Sequence, residues 1–439
     1  MNPPNSSAPV GPSPAPPTRW YQGVSRAQWM VLIIACATWI FDSYDSQIFN
    51  VTRNDMLGEL LPNQAGNPAI KLWGDVFLGI YLIGGAVGGT LFGSLADRIG
   101  RRPTLIITII IYTIFSGLTS LVHAAWQVAV LRFIVAMGTA GAWAVGAAFV
   151  SEVFSARSRA QAGAIFHATS NMGTALASMV GLAVGANWRL GYIFGIVPIL
   201  MVFWVRASVQ ESTSWKEQAT KIGSDRRGSL KELLLSRAWG TRAIFGMLLA
   251  AIGIGTYWCI TVAGMDLVQD FQLQRGVSLA TARAQSQFAY GFLINGGGFI
   301  GSIAFGPIAH WLGRRRAFTF AMLGGALIVP LTAYLPQTYG QLLVILPFFG
   351  FLTFGYHSGF AFYLPELFPA HLRGTGAGFC FNGGRVLAAV ILGFSGWLKS
   401  RPGLDLHVAL CVLAVFYLLG MVVVRFLPET NDERFETIA

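Results

Sequence analysis

Apolar segments of about 20 residues recur along the whole chain, and short polar or basic stretches separate them. Each segment is close to the length that an α-helix needs to cross the hydrocarbon core of a bilayer. The pattern predicts twelve transmembrane helices, at about 28–50, 75–95, 104–124, 126–150, 160–185, 188–208, 241–265, 286–309, 317–336, 340–364, 374–398 and 405–427. We therefore expect an all-α integral membrane protein.

The composition agrees with this expectation and excludes several classes of protein. The chain is 54% hydrophobic and 11% charged, with a mean hydropathy of +0.58, whereas soluble domains carry about 25% charged residues. No Gly-Lys pair occurs in the chain, so the phosphate-binding loop of an ATP-driven pump is absent. The four cysteines lie in separate apolar segments without the spacing of metal ligands. We expect no enzyme activity, no catalytic residues and no metal site.

The net charge of +11 is explained by the distribution of basic residues along the chain. With both termini in the cytoplasm, 20 of the 30 Lys and Arg residues lie on the cytoplasmic side and seven on the opposite side. Cytoplasmic loops of membrane proteins carry such an excess of Lys and Arg. The charge therefore predicts cytoplasmic termini in a multi-pass protein of the cell (inner or plasma) membrane, and nucleic acid is not expected as a partner.

Two motifs recur at nearly the same distance along the chain. The segment Gly93–Arg102 reads GSLADRIGRR, and Gly306–Arg315, 213 residues later, reads GPIAHWLGRR. Similarly, Glu152–Arg159 reads EVFSARSR, and Glu366–Arg373, 214 residues later, reads ELFPAHLR. Internal repeats of this length are typical of transporters that are built from two related halves.

The repeat divides the chain into two six-helix halves. The N-terminal tail is expected to be disordered, because seven of the first 17 residues of the chain are proline. The predicted units are the Pro-rich cytoplasmic tail (1–25), the N-terminal half (26–208), a cytoplasmic interdomain loop (209–240), the C-terminal half (241–428) and a cytoplasmic tail (429–439).

The loop between the second and third predicted helices resembles the hallmark loop of the major facilitator superfamily. Its pattern, G-x-x-x-D-R-x-G-R-R, spans Gly93–Arg102. Within that superfamily, five further segments are similar to the metabolite:proton symporters for aromatic acids, monocarboxylates or sialic acid: Phe41–Asp45, Gly138–Glu152, Asn187–Arg189, Glu211–Trp215 and Arg373–Arg385. The resemblance implies the major facilitator fold with twelve helices in two pseudo-symmetric halves, and secondary transport by alternating access.

The chain departs from the family pattern at two positions. Ala142 stands where many of the similar symporters have an acidic residue, so an acidic contribution from that position is missing. His310 replaces the hallmark aspartate in the second loop. We expect the second loop to be less able to form the ion pair of the first.

Asp42, Asp45 and Arg132 are the candidate residues for proton coupling. The two aspartates are three residues apart and therefore share one face of a helix. At 1.5 Å per residue, Asp45, Arg132 and Asp42 lie about 7, 10 and 12 Å below the outer boundary of the bilayer. One arginine leaves one carboxylate uncompensated, and a carboxylate in that position binds a proton more readily. The alternative is that one aspartate pairs with Arg132 and only holds two helices together.

Arg385 is the candidate residue for binding the substrate. It lies about 16 Å into a core of about 30 Å, close to the midplane where transporters bind their substrates. No acidic residue of the C-terminal half shares this depth, so the partner of the guanidinium is expected to be an anionic substrate. The alternative is that Arg385 binds helix carbonyls or polar side chains. Asn171 is its repeat counterpart, and Asn295, Tyr257 and Trp258 are further candidates to line the cavity.

Charged residues at the cytoplasmic helix ends are predicted to form a latch that closes in one state and separates in the other. The alternative is that the arginines only set the topology and contact lipid phosphates. The first set comprises Asp97, Arg98, Arg101, Arg102, Glu152, Arg157 and Arg159, and the second comprises Arg314, Arg315, Glu366 and Arg373.

The sequence thus predicts a secondary transporter that imports a small organic anion, a carboxylate, together with protons. A proton-coupled drug or metabolite efflux antiporter, or a sugar or phosphate carrier of the same fold, is the alternative. The expected partners are the organic anion, protons and the lipid bilayer, with no cofactor apart from the proton gradient. The protein is expected to be a monomer.

Overall fold

The computed structural model of the chain describes residues 19–61, 68–185, 187–221, 227–399 and 404–431. Within these ranges the secondary structure is helical and contains no strand. Most of the predicted Pro-rich tail, residues 222–226 of the interdomain loop and residues 432–439 of the C-terminal tail lie outside the described residues. The predictions made for these segments stay predictions.

The N-terminal half and the interdomain segment contain ten α-helices within the described ranges, and a 3-10 turn, Val197–Ile199, joins the seventh to the eighth. The helices are α1 (Arg26–Leu60), α2 (Pro68–Ile99), α3 (Arg101–Thr119), α4 (Ala125–Val153), α5 (Ala156–Ala168), α6 (Ser170–Val184), α7 (Trp188–Phe194), α8 (Leu200–Ser208), α9 (Thr213–Lys221) and α10 (Leu230–Leu235).

The C-terminal half continues with eight α-helices in the part of the chain that the structure describes. A π-helical segment, Ala289–Ile294, precedes the third of them, and a 3-10 segment, Gly355–Gly359, follows the fifth. The helices are α11 (Arg237–Leu273), α12 (Leu279–Phe288), α13 (Asn295–Leu312), α14 (Arg314–Tyr334), α15 (Tyr339–Phe354), α16 (Phe360–Glu366), α17 (Arg373–Lys399) and α18 (Leu406–Val424).

Among the described residues, 11 helical segments are long and apolar enough to cross a membrane. The predicted span at 160–185 is not one of them, because it is divided at Thr169 into α5 and α6. The Thr169 hydroxyl donates to the main-chain oxygen of Phe166 at 2.7 Å, and such bonds compete with the regular helical pattern. The count of twelve helices and the cytoplasmic position of the termini remain predictions.

The two hallmark loops turn on glycines and are closed by distant carboxylates. Gly100 and Gly313 precede α3 and α14 with φ of +109° and +88°, a backbone conformation that favours glycine. Glu211 accepts the first two N–H groups of α3 at 2.9 and 3.1 Å, and Glu429 accepts those of α14 at 2.8 and 3.1 Å. The segment that follows each half therefore caps a helix of that half.

The two halves pack tightly at the end that is predicted to face the cytoplasm. Along α2 and α17, a Cβ atom on Gly93 would collide with the main-chain oxygen of Gly374, and one on Gly89 would collide with Asn382. Within the described residues, further contacts between the halves join α5 to α13, whereas α6 and α12, which run to the other end, make no comparable contact with the opposite half. The bundle is closed at one end.

Candidate functional site

Asp42 and Asp45 point into the N-terminal half from one face of α1, as their spacing predicts. Asp42 is 5% exposed and Asp45 is 2% exposed. The Ser116 hydroxyl of α3 donates to Asp45 Oδ1 at 2.5 Å. Within the described residues, the Oδ2 atom of each aspartate is buried without a hydrogen-bond partner. An unpaired oxygen of this kind is costly to bury unless it gains a proton or another partner.

Arg132 lies beside Asp45, but it does not form the carboxylate ion pair that the alternative interpretation predicts. Its Nη1 atom donates to the main-chain oxygen of Asp45 at 3.0 Å. The guanidinium carbon stands 4.5 Å from the ring centroid of Phe49 and 4.2 Å from that of Tyr81. These rings hold the arginine in place through cation–π contacts. Its positive charge therefore acts on the Asp45 carboxylate across a short distance, while its hydrogen bond goes to the main-chain oxygen of Asp45.

The sequence reasoning missed the residues that surround Asp42. The Thr139 hydroxyl interacts with the Asp42 carboxylate and lies 3.1 Å from the Tyr81 hydroxyl. Arg385 interacts electrostatically with Asp42 from the opposite half. The sequence analysis considered acidic partners of Arg385 only in the C-terminal half, and the structure adds this interaction with Asp42 of α1.

Arg385 is half-buried on α17 and reaches toward α2. Its Nη1 atom lies 3.6 Å from the point that a Cβ atom on Gly85 would occupy. The guanidinium carbon is 5.0 Å from the ring centroid of Phe381, one helical turn away. Among the described residues, the guanidinium has no hydrogen-bond partner in the protein, so its donors are available to a ligand.

Asn171, the repeat counterpart of Arg385, forms a local hydrogen bond with the main chain three residues before it. Its Nδ2 atom donates to the main-chain oxygen of Ala168 at 3.1 Å, at the break between α5 and α6. Within the described part of the chain, it forms no hydrogen bond with Arg385. The repeat gives equivalent positions along two helices, but the break at Thr169 makes the local backbone of this position different.

Tyr257 and Asn295 are brought together by a residue that the sequence did not single out. Both side chains interact with Tyr290, which lies in the π-helical segment Ala289–Ile294. The extra residue of a π turn changes which side chains share a helix face, so the regular period could not place Tyr290 there. Trp258 contacts the Tyr257 ring edge to face at 5.4 Å and is 37% exposed.

The predicted latch residues of the N-terminal half form a buried ion network. Arg101 Nη1 lies 2.7 Å from Asp97, and Arg101 Nη2 lies 2.5 Å from Glu152. Arg101 also donates to the main-chain oxygen of Ala370 at 2.8 Å, in the opposite half. Asp97 accepts the main-chain N–H of Thr375 at 2.8 Å and its hydroxyl at 2.5 Å, at the N-terminus of α17. This network therefore joins the two halves.

In the described part of the chain, the central arginine of the second set has one carboxylate partner where Arg101 has two, because His310 stands in the place of Asp97, and the two sets exchange partners. Arg314 pairs with Glu366 at 3.0 Å. Arg159 of the first set lies 3.8 Å from Glu366, and Arg373 of the second set lies 3.8 Å from Glu152. Each set thus contributes one arginine to the acid of the other half.

Three predicted latch arginines bind main-chain oxygens rather than carboxylates. Arg98 donates to the main-chain oxygen of Arg227 at 3.2 Å. Arg102 donates to that of Arg206 at 2.6 Å, and Arg315 donates to that of Arg425 at 2.9 Å. Arg157 lies near His310, which replaces the hallmark aspartate. These contacts hold loop segments in place. Glu211 and Glu429, which cap α3 and α14, were missed as candidates, although each stands at the end of its half in the sequence.

At the other end of the bundle, an ion pair between Glu59, which lies beyond the first span, and Arg189 is expected to give a small dependence of stability on pH. Glu59 lies 2.6 Å from Arg189 and accepts a hydrogen bond from Trp188 at 2.8 Å. These donors hold the pKa of Glu59 below its ordinary value. The stabilisation is therefore present near neutral pH and is lost as the pH falls through this lowered pKa.

We expect Glu59→Gln to cost at most about 1 kcal/mol near neutral pH, because the carboxylate is about half exposed and screened by solvent. The measurement is the thermal unfolding temperature of the wild type and the variant between pH 3 and 7. A constant difference across this range would contradict the assignment.

The comparisons with known proteins agree with this architecture. A family model described as Major Facilitator Superfamily matches residues 24–393. A probable 4-methylmuconolactone transporter of Cupriavidus pinatubonensis is 29% identical, and the alignment covers 95% of each chain. A sialic acid transporter of Escherichia coli is 25% identical over 86% of this chain and 91% of the relative. A cis,cis-muconate transport protein of Acinetobacter baylyi is 25% identical over 79% and 83%.

Solved structures share the fold at lower identity. A proton:xylose symporter superposes with a TM-score of 0.77 at 15% identity and covers 94% of this chain and 99% of its own. A fucose:proton symporter of E. coli has a TM-score of 0.69 at 13% identity, with 92% and 100% covered. The chain therefore belongs to the Major Facilitator Superfamily and is a multi-pass membrane transporter rather than an enzyme.

Proposed function

We propose that this transporter imports a small organic carboxylate together with protons by alternating access. The observation that carries the proposal is the position of Arg385, which is half-buried on α17 and interacts electrostatically with the buried carboxylate of Asp42 in the other half. Two of the relatives are described as carriers of sialic acid and of cis,cis-muconate, and both compounds are carboxylates.

Asp42 is the group that carries the proton in this proposal. The other aspartate, Asp45, keeps the Ser116 hydroxyl as a donor and lies beside Arg132, which favours its ionised form. The charged partner of Asp42, in contrast, belongs to the opposite half and moves relative to it when the halves rock. The charge on Asp42 is therefore the one that changes its surroundings during transport.

Arg385 binds the anion. Its planar guanidinium matches a carboxylate with two parallel hydrogen bonds. When Asp42 is ionised, the two carboxylates compete for the same cation. When Asp42 takes up a proton, this competition ends and the substrate binds more tightly, so proton and anion favour each other's binding.

The closed end of the bundle supplies the second requirement of alternating access. The ion pairs that cross between Arg159 and Glu366, and between Arg373 and Glu152, hold the halves together at the predicted cytoplasmic end. Separating these pairs opens that end, while the opposite end closes. The latch role that the sequence predicts for these residues is part of the proposal.

A thermal-shift screen at pH 5.5 and 7.5 tests the proposal. The probes are cis,cis-muconate, gentisate, sialic acid, lactate, phosphate, xylose and a cationic drug. We expect one carboxylate to stabilise the wild type more strongly at pH 5.5. Arg385→Ala should weaken its binding about tenfold to a hundredfold, since a hydrogen bond to a charged group is worth about 1.5–3 kcal/mol.

Arg316→Ala is the matched control, because this arginine is exposed at the start of α14, away from Asp42. Its binding of the same probe should equal that of the wild type. Stabilisation by xylose, phosphate or the drug alone, unchanged in Arg385→Ala, would favour a sugar or phosphate carrier or an efflux antiporter instead.

A further inference from the structure

Two aromatic side chains, one from each half, stack face to face at the centre of the bundle. The ring centroids of Trp143 and Phe381 are 3.8 Å apart and their planes differ by 20°. Trp143 is fully buried and Phe381 is 4% exposed. The contact joins α4 of one half to α17 of the other, so the halves cannot separate at this level while the rings stay stacked. We call the pair Trp143 and Phe381 the aromatic gate.

The aromatic gate lies directly beneath the proposed substrate site. Phe381 is one helical turn from Arg385 on α17, and Trp143 is one turn from Thr139 on α4. One turn is about 5.4 Å. Since α4 and α17 run in opposite directions in the predicted topology, both rings are on the cytoplasmic side of the site. A substrate that enters from the outside meets this stack before it reaches the closed end.

The cation and the stack share one ring. The guanidinium carbon of Arg385 is 5.0 Å from the Phe381 centroid, while the indole of Trp143 stacks on the same residue. A cation over a ring gains from the negative potential of the ring face. Arg385 therefore holds Phe381 in the position that the stack requires, as long as no ligand draws the guanidinium away.

Buried polar groups next to the aromatic gate lack partners in this arrangement. Within the described residues, Trp143 Nε1 and His167 Nδ1 are buried without a hydrogen-bond partner. The His167 ring lies edge to face against both Trp143 and Phe381, at 6.4 and 6.1 Å. Unpaired buried groups disfavour the closed arrangement, and they gain water or ligand partners when the rings separate. The closed gate therefore needs another contact to hold it.

We propose that Phe381 is a positioning residue that couples anion binding at Arg385 to the opening of the aromatic gate. In the empty transporter, Arg385 rests over Phe381 and keeps it stacked on Trp143. A carboxylate that pairs with the guanidinium draws it away from the ring, and the stack then separates toward the cytoplasmic side. The trigger rests on the proposed function, whereas the gate itself is tested without any substrate.

Distances between spin labels at Ser155 and Arg316 measure the opening. Both positions are exposed and lie on opposite halves at the closed end. The labels are placed in protein whose four native cysteines are replaced by alanine, and the same protein with Phe381 and Trp143 intact is the reference. We expect Phe381→Leu to raise the open population of the empty transporter about tenfold, and Phe381→Tyr to restore the reference distribution.

A double-variant comparison and a matched control make the result specific. Trp143→Leu should raise the open population as much as Phe381→Leu does. The double variant, Trp143→Leu with Phe381→Leu, should raise it no further, because each single change already removes the same contact. Phe379→Leu on the same helix lies outside the stack and should change nothing. The proposal is overturned when both gate variants match the reference, or when Phe379→Leu opens the end equally.

Binding of cis,cis-muconate separates this inference from the proposed function. Phe381→Leu should keep the affinity of the reference protein within about threefold, whereas Arg385→Ala should both open the gate and lose binding. When neither cis,cis-muconate nor another carboxylate binds the reference protein, the proposed function and the anion trigger fail, and the label distances still decide whether the gate exists.

Discussion

Asp42→Asn is expected to abolish the accumulation of substrate against a gradient while leaving substrate exchange intact. An amide has the size of the carboxylic acid but binds no proton, and Asp42 is a buried carboxylate with one unpartnered oxygen and an electrostatic interaction with Arg385. One coupled proton at a pH difference of one unit supplies about 1.4 kcal/mol, which is about a tenfold accumulation. That ratio should fall to about one in proteoliposomes loaded with the carboxylate that the screen identifies.

Asp55→Asn is the control, because Asp55 is exposed on the same helix. It should accumulate substrate like the wild type. If Asp42→Asn still accumulates substrate and Asp45→Asn does not, the proton-binding role belongs to Asp45. Counterflow of labelled substrate should persist in Asp42→Asn, since exchange needs the substrate site but no net proton movement.

Arg101→Ala is expected to destabilise the transporter by about 3–5 kcal/mol, which is typical of removing one partner from a buried ion pair. The Arg101 side chain is fully buried between Asp97 and Glu152 and also binds the main chain of the opposite half. Its removal leaves two carboxylates close together without their cation. The measurement is the unfolding temperature in detergent, which should fall strongly.

Arg98→Ala tests whether this loss belongs to the ion network. Arg98 is exposed and donates one hydrogen bond to a loop oxygen, so we expect a loss of at most about 1 kcal/mol. Arg101→Lys keeps the charge but not the forked guanidinium that reaches both acids. Its unfolding temperature should therefore lie between those of Arg98→Ala and Arg101→Ala. Equal stability of Arg98→Ala and Arg101→Ala would contradict a structural role for the network.

The structure explains why the two halves depend on each other at the closed end. Asp97 of α2 accepts two N–H groups at the start of α17, where the helix dipole favours a negative charge. This bond crosses between the halves, and Arg101 holds the same carboxylate from within its own half. A loss of Arg101 therefore weakens the closed state as well as the N-terminal half.

The fold class follows from the sequence because local physical rules determine it. A segment of about 20 apolar residues must form a helix in a bilayer, since no water satisfies its backbone groups. The repeated loops place Gly100 and Gly313 before equivalent helices of the two halves, α3 and α14. In the structure both glycines have the backbone conformation that glycine favours. The burial of Asp42 and Asp45 on one face of α1 likewise follows from their spacing.

The contacts across the halves depended on the tertiary structure. Helical periodicity gives the face and the depth of a residue but not the rotation of one half against the other. That rotation sets Arg385 against Asp42, stacks Phe381 on Trp143 and exchanges the partners of Arg159 and Arg373. The break at Thr169 and the π-helical segment at Tyr290 are local departures from the regular helical period, so the sequence rules did not foresee the local contact of Asn171 and missed Tyr290.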